Sequence, residues 1–149
     1  MSLEKTIMEE IKTAMKAKDK IALESLRAVK SAITYAKSEA IGTELTEADE
    51  IGILQKQVKM RKDAAEQFLA QNRKEMAENE LKQVEIIEKF LPKQLSETEL
   101  SQEIAQIIQQ ENATDIKQMG KIIGLANQKL AGKAEGKMIA SEVKKQLNT

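Results

Sequence analysis

The sequence predicts an all-α protein. A helical N-terminal domain of about four helices is expected over residues 1–91, and a small three-helix C-terminal bundle over 92–149. Three observations predict this. Ala, Glu, Lys, Gln, Leu and Ile dominate the chain, and its apolar residues recur every three or four positions instead of alternating. The one proline, Pro92, separates a long helical pattern from a shorter one. A proline lacks a backbone donor and pushes the residue before it out of helical geometry, so a helix should stop near Leu91. Finally, Tyr35, Phe68 and Phe90 are the only aromatics and all precede Pro92, so the second segment must build its core from aliphatic residues.

Taken in order, a first helix is expected from about Leu3 to Lys16, with Ile7, Ile11 and Met15 on one face. Asp19 can cap a second helix reaching about Glu39, whose stripe is Leu23, Leu26, Val29, Ile33 and Ala36. Ile41-Gly42-Thr43-Glu44-Leu45 reads as a loop. Thr46-x-x-Asp49 resembles a capping box and opens a third helix lined by Leu54, Val58, Ala65 and Phe68. Asn72-x-x-Glu75 offers the start of a fourth, carrying Met76, Val84, Ile87 and Leu91. Short joints between these favour antiparallel neighbours.

After Pro92, Ser96 with Glu99 starts a fifth helix with Leu100, Ile104, Ile107 and Ile108 inward. Asp115-x-x-Gln118 opens a sixth, holding Met119, Ile122, Ile123, Ala126 and Leu130. Gly132 and Gly136 bracket a turn before a final helix with Met138, Ile139, Val143 and Leu147. The stripes are heptad-like, but interruptions are too frequent for one long coiled coil. A loose joint between the two halves would place a protease-sensitive stretch at Pro92–Ser96.

Composition narrows the function. The formal charge is zero, with 24 basic and 24 acidic residues, so nucleic-acid binding must come from local patches. There are no cysteines, which excludes disulfides and thiolate zinc sites and fits a cytoplasmic protein. No apolar run approaches the roughly 20 residues needed to span a bilayer, and the N-terminal residues lack the apolar stretch of a secretory signal. The absence of histidine removes the commonest general base and a frequent metal ligand. There is no nucleophile elbow and no phosphate-cradling glycine loop. Glu75, Glu78, Glu80, Glu85 and Glu88 read as a solvated helix face. No cofactor, metal site or catalytic residue is expected.

Two constellations stand out. On the third helix, Arg61 falls near Leu54, Val58 and Ala65 at about 100° per residue, so it points toward the helical seam. A charge there needs a partner. Glu80 of the fourth helix is the first candidate for a structural ion pair, with direct ligand contact as the other reading.

On the sixth helix, Met119-Gly120-Lys121-Ile122-Ile123-Gly124 places two glycines inside a helix, at about 1 kcal/mol each against alanine. Lys117, Gly120, Lys121, Gly124 and Gln128 fall within an arc of about 100°. Lysines flanking bare backbone suit close approach by a phosphate–sugar chain, and Lys129, Lys133 and Lys137 extend the positive charge. Alternatively, the glycines only permit tight helix–helix packing. With no aromatic after Pro92, base stacking on a flat platform is not expected, and any RNA contact should read backbone shape.

These residues carry a resemblance. Leu26-Arg27 with Lys30, Lys59-Met60-Arg61-Lys62-Asp63, Asn72-Arg73 followed by Glu80, Phe90-Leu91-Pro92-x-Gln94-Leu95, Met119-Gly120-Lys121, and Gly132-x-Ala134-Glu135-Gly136 occur in the order and spacing of one family. The chain resembles the stand-alone GatB/YqeY proteins, related to the C-terminal tail of the GatB subunit of tRNA-dependent amidotransferase. Met60 stands where the family's motif has glutamine, Phe90 where it has tyrosine, and Glu135 where it often has aspartate.

The resemblance implies an all-α fold and a tRNA-binding accessory module for tRNA-dependent amidation that meets the tRNA elbow. It implies no independent catalysis. A label of carbon–nitrogen ligase with glutamine as amide donor would belong to the larger enzyme. The residues it implies for RNA contact are Lys117, Gly120, Lys121, Gly124, Lys133 and Lys137, while Arg27, Arg61, Arg73, Glu80 and Pro92 are expected to be structural. The competing reading is a protein-interaction module that docks on an amidotransferase or an aminoacyl-tRNA synthetase through the N-terminal helices.

Overall fold

The computed structural model describes residues 2–148. Among them the chain forms seven α-helices and one 3₁₀ turn, and no strand. The helices are α1 (Leu3–Ala17), α2 (Lys20–Glu39), α3 (Glu47–Ala70), α4 (Lys74–Glu88), α5 (Glu97–Gln110), α6 (Met119–Lys129) and α7 (Gly136–Leu147), and the 3₁₀ turn covers Ile116–Gln118. Contacts divide the chain into two compact units, residues 1–91 and 92–149. None of the helices is long and apolar enough to cross a membrane.

The helix starts follow local chemistry. The Ser2 and Asp19 side chains accept from the Lys5 and Ala22 backbone N–H groups. Thr46 with Asp49 and Ser96 with Glu99 form complete capping boxes, each satisfying two backbone donors that a helix start leaves unpaired. Asp115 and Gln118 also form a reciprocal box, but it opens the 3₁₀ turn that leads into α6, not an α-helix directly.

Asn72 does not begin α4 as its spacing suggested. It ends α3 in the left-handed region at φ 60°. The Arg73 N–H reaches back to the Phe68 carbonyl at 2.8 Å and the Asn72 N–H to the Leu69 carbonyl at 3.1 Å, which is a Schellman ending. Asn112 ends α5 and Lys18 ends α1 in the same way. Asparagine tolerates this backbone well, so Asn72 and Asn112 read more naturally as stops than as starts.

In the first unit α3 packs most extensively on α4, α1 packs on α2, and α2 contacts α3 and α4. Ile7, Leu26, Val29, Ile33, Leu54, Val58, Val84 and Ile87 form its core. Glu50 accepts a 2.8 Å hydrogen bond from the Leu3 N–H, and Lys37 pairs with Glu4. In the second unit α5, α6 and α7 surround Leu100, Ile104, Ile107, Ile122, Ala126, Leu130, Ile139, Val143 and Leu147.

Within the second unit, the stretch after Pro92 is anchored. Gln94 Nε2 donates to the Gly132 carbonyl at 2.6 Å, and the Leu95 N–H donates to the Lys133 carbonyl at 2.8 Å. Pro92 itself lies beyond a turn: α4 ends at Glu88, and the Phe90 and Leu91 N–H groups fold back on Ile87 and Glu88.

Three residues expected on inner faces, Met15, Met76 and Met138, are exposed. Ala14 and Ala77 occupy the inward positions beside Met15 and Met76, and Ile139, expected inward, is buried beside Met138. Where helices approach closely, alanine seats the contact and the long thioether chain is displaced to the rim.

Candidate nucleic-acid interface

From residue 116 to residue 134 the sequence carries Lys117, Lys121, Lys129 and Lys133 and no carboxylate. This segment is the 3₁₀ turn, α6 and the turn that follows. Its apolar residues Ile122, Ala126 and Leu130 face the core of the second unit, which sends the polar face outward.

Lys117, Gly120, Lys121 and Gly124 are all exposed. Lys117 lies on the 3₁₀ turn, so its angle to the α6 residues differs from the even 100° step used to place it. The spacing of three and four residues still keeps the group on one stretch of surface.

The two glycines settle a question that the sequence left open. A Cβ built at Gly120 or at Gly124 meets nothing within 4 Å. Neither has a positive φ, so neither is needed for backbone geometry. No neighbouring helix of this chain presses on them, and the tight-packing explanation fails. What remains is a helix surface that omits two side chains at a cost to its own stability.

Lys121 is paired with Glu111 at 3.1 Å, and Lys129 with Glu103 at 3.4 Å. Both acids come from α5 or its C-cap. Glu111 sits at a helix C-terminus, where a negative charge is unfavourable and a lysine partner relieves it. Both are surface pairs, worth little in stability, and a polyanion can compete for the lysines. Sequence reading did not foresee these pairs, because nothing in the local spacing brings Glu111 beside Lys121.

Lys133 is exposed in the α6–α7 turn beside Gly132, which takes the left-handed φ of 77°. Lys137 is exposed on the first turn of α7 and borders a cleft of about 760 Å³ shared with Ser101, Glu142 and Lys145. The structure therefore groups Lys117, Gly120, Lys121 and Gly124, and sets Lys133 and Lys137 at the other end of α6. An 11-residue helix is about 16 Å long, so the two groups are separated by several phosphate spacings.

The expected Arg61–Glu80 ion pair does not form among the described residues. Arg61 Nε donates to Gln83 Oε1 at 2.9 Å, and Nη1 donates to the Gln57 carbonyl at 3.2 Å and to its Oε1 at 2.7 Å. Gln83, only 2% exposed, in turn donates to Asn79 Oδ1 at 2.8 Å. Neutral amides thus satisfy the guanidinium, and glutamate acts only through space: burial pushes the Arg61 pKa down, while Glu80 and Glu24 oppose that shift.

Arg27 and Arg73 have exposed side chains with no hydrogen bond or ion pair among the described residues. The structural part played by Arg73 is that of its backbone, in the Schellman ending above. Glu24, Glu75 and Glu80 line a shallow acidic cavity of about 320 Å³ with Phe68 and Met76. No cluster among the described residues has the arrangement of carboxylates needed to hold a metal ion.

Comparison with known proteins places nearly the whole chain. The family model described as Yqey-like protein matches residues 4–147. An uncharacterized protein of Schizosaccharomyces pombe is 33% identical over 97 residues, which cover 64% of this chain and 76% of that protein. Altered inheritance of mitochondria protein 41, mitochondrial, of Lachancea thermotolerans is 30% identical over 114 residues, covering 75% of this chain and 58% of that protein.

Proposed function

Because the chain belongs to the Yqey-like protein family, we propose that it is a tRNA-binding accessory module of tRNA-dependent amidation, with no catalysis of its own. One observation carries this reading: Gly120 and Gly124 are exposed between lysines, with open space where their side chains would stand. Two missing Cβ atoms let a sugar–phosphate chain come close to the helix. Lys117 and Lys121 then neutralise adjacent phosphates at short reach, and Lys133 and Lys137 extend the track across the α6–α7 turn. Such contacts position the protein on an RNA shape without reading bases. A folded tRNA elbow offers the curved, closely spaced phosphates this surface suits.

Gel shifts with whole tRNA and with an elbow-disrupted tRNA test the reading. Neutralising four phosphates gives a slope of log affinity against log salt of about −3. Lys117→Glu with Lys121→Glu should abolish the shift. Glu111→Gln should strengthen it, because Lys121 is then released from its 3.1 Å partner. Unchanged binding in the lysine double variant refutes the surface. A protein pull-down that survives RNase, with no tRNA shift at all, replaces the reading with docking on an amidotransferase or an aminoacyl-tRNA synthetase.

A further inference from the structure

Within the first unit, α2 and α3 leave an open groove of about 820 Å³ between Ala32–Ala40 and Leu45–Met60. Its rim is apolar and exposed: Tyr35 is 68% and Met60 53% accessible. A second glycine puzzle lies on its floor. Gly52 sits within the 24-residue α3, and a Cβ there meets nothing within 4 Å. An apolar trough floored by bare helix backbone is shaped to receive another helix.

The residue types along α3 indicate which helix. If a second copy docks face to face across a two-fold axis perpendicular to α3, the helices run antiparallel, and one centre between residues 52 and 53 fixes every pairing. Gly52 then faces Ile53 of the other copy, a hole against a knob. Asp49 faces Lys56 and Ala48 faces Gln57. Any helical stripe is symmetric in its positions, because the period is fixed. Nothing requires its chemistry to be symmetric as well, yet here the two charged positions of the α3 stripe, Asp49 and Lys56, meet each other twice across the axis, and Gly52 meets Ile53. Lys56 and Glu39 have no ion-pair partner among the described residues, so Lys56 is available for the contact.

We propose that this chain associates with itself through the α2–α3 groove, forming an isologous two-fold dimer centred on Gly52 and Ile53 and closed by two Lys56–Asp49 pairs. The inference is independent of RNA binding, since it concerns the first unit alone.

Sedimentation equilibrium of the full chain across the micromolar to millimolar range should show a reversible monomer–dimer equilibrium. Gly52→Arg fills the open space without disturbing the monomer and should raise the dissociation constant by about tenfold or more. Tyr35→Glu, at an exposed rim position, should do the same. Far-UV circular dichroism of both variants should match that of the parent. Because the chain has no cysteine, Gly52→Cys introduces a single thiol at the axis and should form a covalent dimer with a short bismaleimide, whereas Lys82→Cys, at an exposed position of α4, should not. A chain that stays monomeric throughout overturns the proposal and leaves the groove to the helix of another protein. A dimer indifferent to both Gly52→Arg and Tyr35→Glu overturns it as well.

Discussion

Replacing Gly120 and Gly124 by alanine should make the protein more stable and worse at holding RNA. The magnitude follows from position. Gly124 lies in the interior of α6, where alanine is better than glycine by about 1 kcal/mol. Gly120 is the second residue of α6, where the preference is smaller, about 0.5 kcal/mol. Steric cost is absent, since a Cβ meets nothing within 4 Å at either site. The sum of about 1.5 kcal/mol should raise the melting temperature of a unit this small by roughly 6–12 °C. The second unit has no aromatic residue, so fluorescence is blind to it. Amide hydrogen exchange across residues 119–147 of the full chain, or the corresponding calorimetric transition, reads the effect. The same double variant should bind tRNA several-fold more weakly, because two methyl groups now hold the phosphate chain off the helix. A stabilised variant with unchanged tRNA affinity would refute the proposed surface. A destabilised variant would refute the claim that these positions are sterically open.

Gln83→Leu should cost about 2 kcal/mol in urea denaturation, since it removes the acceptor of the half-buried Arg61 Nε and leaves only the Gln57 bonds. Adding Arg61→Met should recover a good part of that loss, and strictly additive effects would show that the two do not interact. The capping carboxylates of Asp49 and Glu99 are held below the ordinary carboxylate range, chiefly by the backbone N–H groups of Thr46 and Ser96 donating to them and secondarily by those residues' hydroxyls. A depressed folded-state pKa means that stabilisation is complete above the unfolded value, near pH 4–5, and fades as pH falls through the folded one. Acid titration of stability should therefore be shallower in Glu99→Gln than in the parent between about pH 5 and pH 3.

Much of the fold was legible because its signals are local. Capping pairs, helical periodicity and a lone proline each act over a few residues, and each maps onto an element boundary within a turn. The misreadings came from two sources. Asn72 satisfies the pattern for a start and the geometry of a stop equally well, and only the path of the chain after Ala70 decides between them. The buried alanines depend on how closely two helices approach, which a size-ranked hydrophobic stripe does not record. The candidate site divides along the same line. Lysines and glycines on one arc of α6 are visible in the sequence, whereas the pairing of Glu111 with Lys121 depends on how α5 lies against α6. Arg61 was correctly expected near the seam, but its partners are neutral amides, since a glutamine with one edge on a neighbouring amide and the other on a guanidinium avoids burying a second charge.

The ties from Gln94 and Leu95 to the α6–α7 turn have a consequence for dissection of the chain. A fragment cut at the helix boundary, Ser96, would keep every fully buried residue of the second hydrophobic core but lose Leu95, which packs against it, and the two hydrogen bonds that clamp the Gly132–Lys133 carbonyls. That turn carries Lys133 and leads into Lys137, so a truncation judged safe from helix limits would loosen one end of the cationic track. A C-terminal piece that keeps both ties begins no later than Gln94, and a fusion or protease site belongs upstream of it.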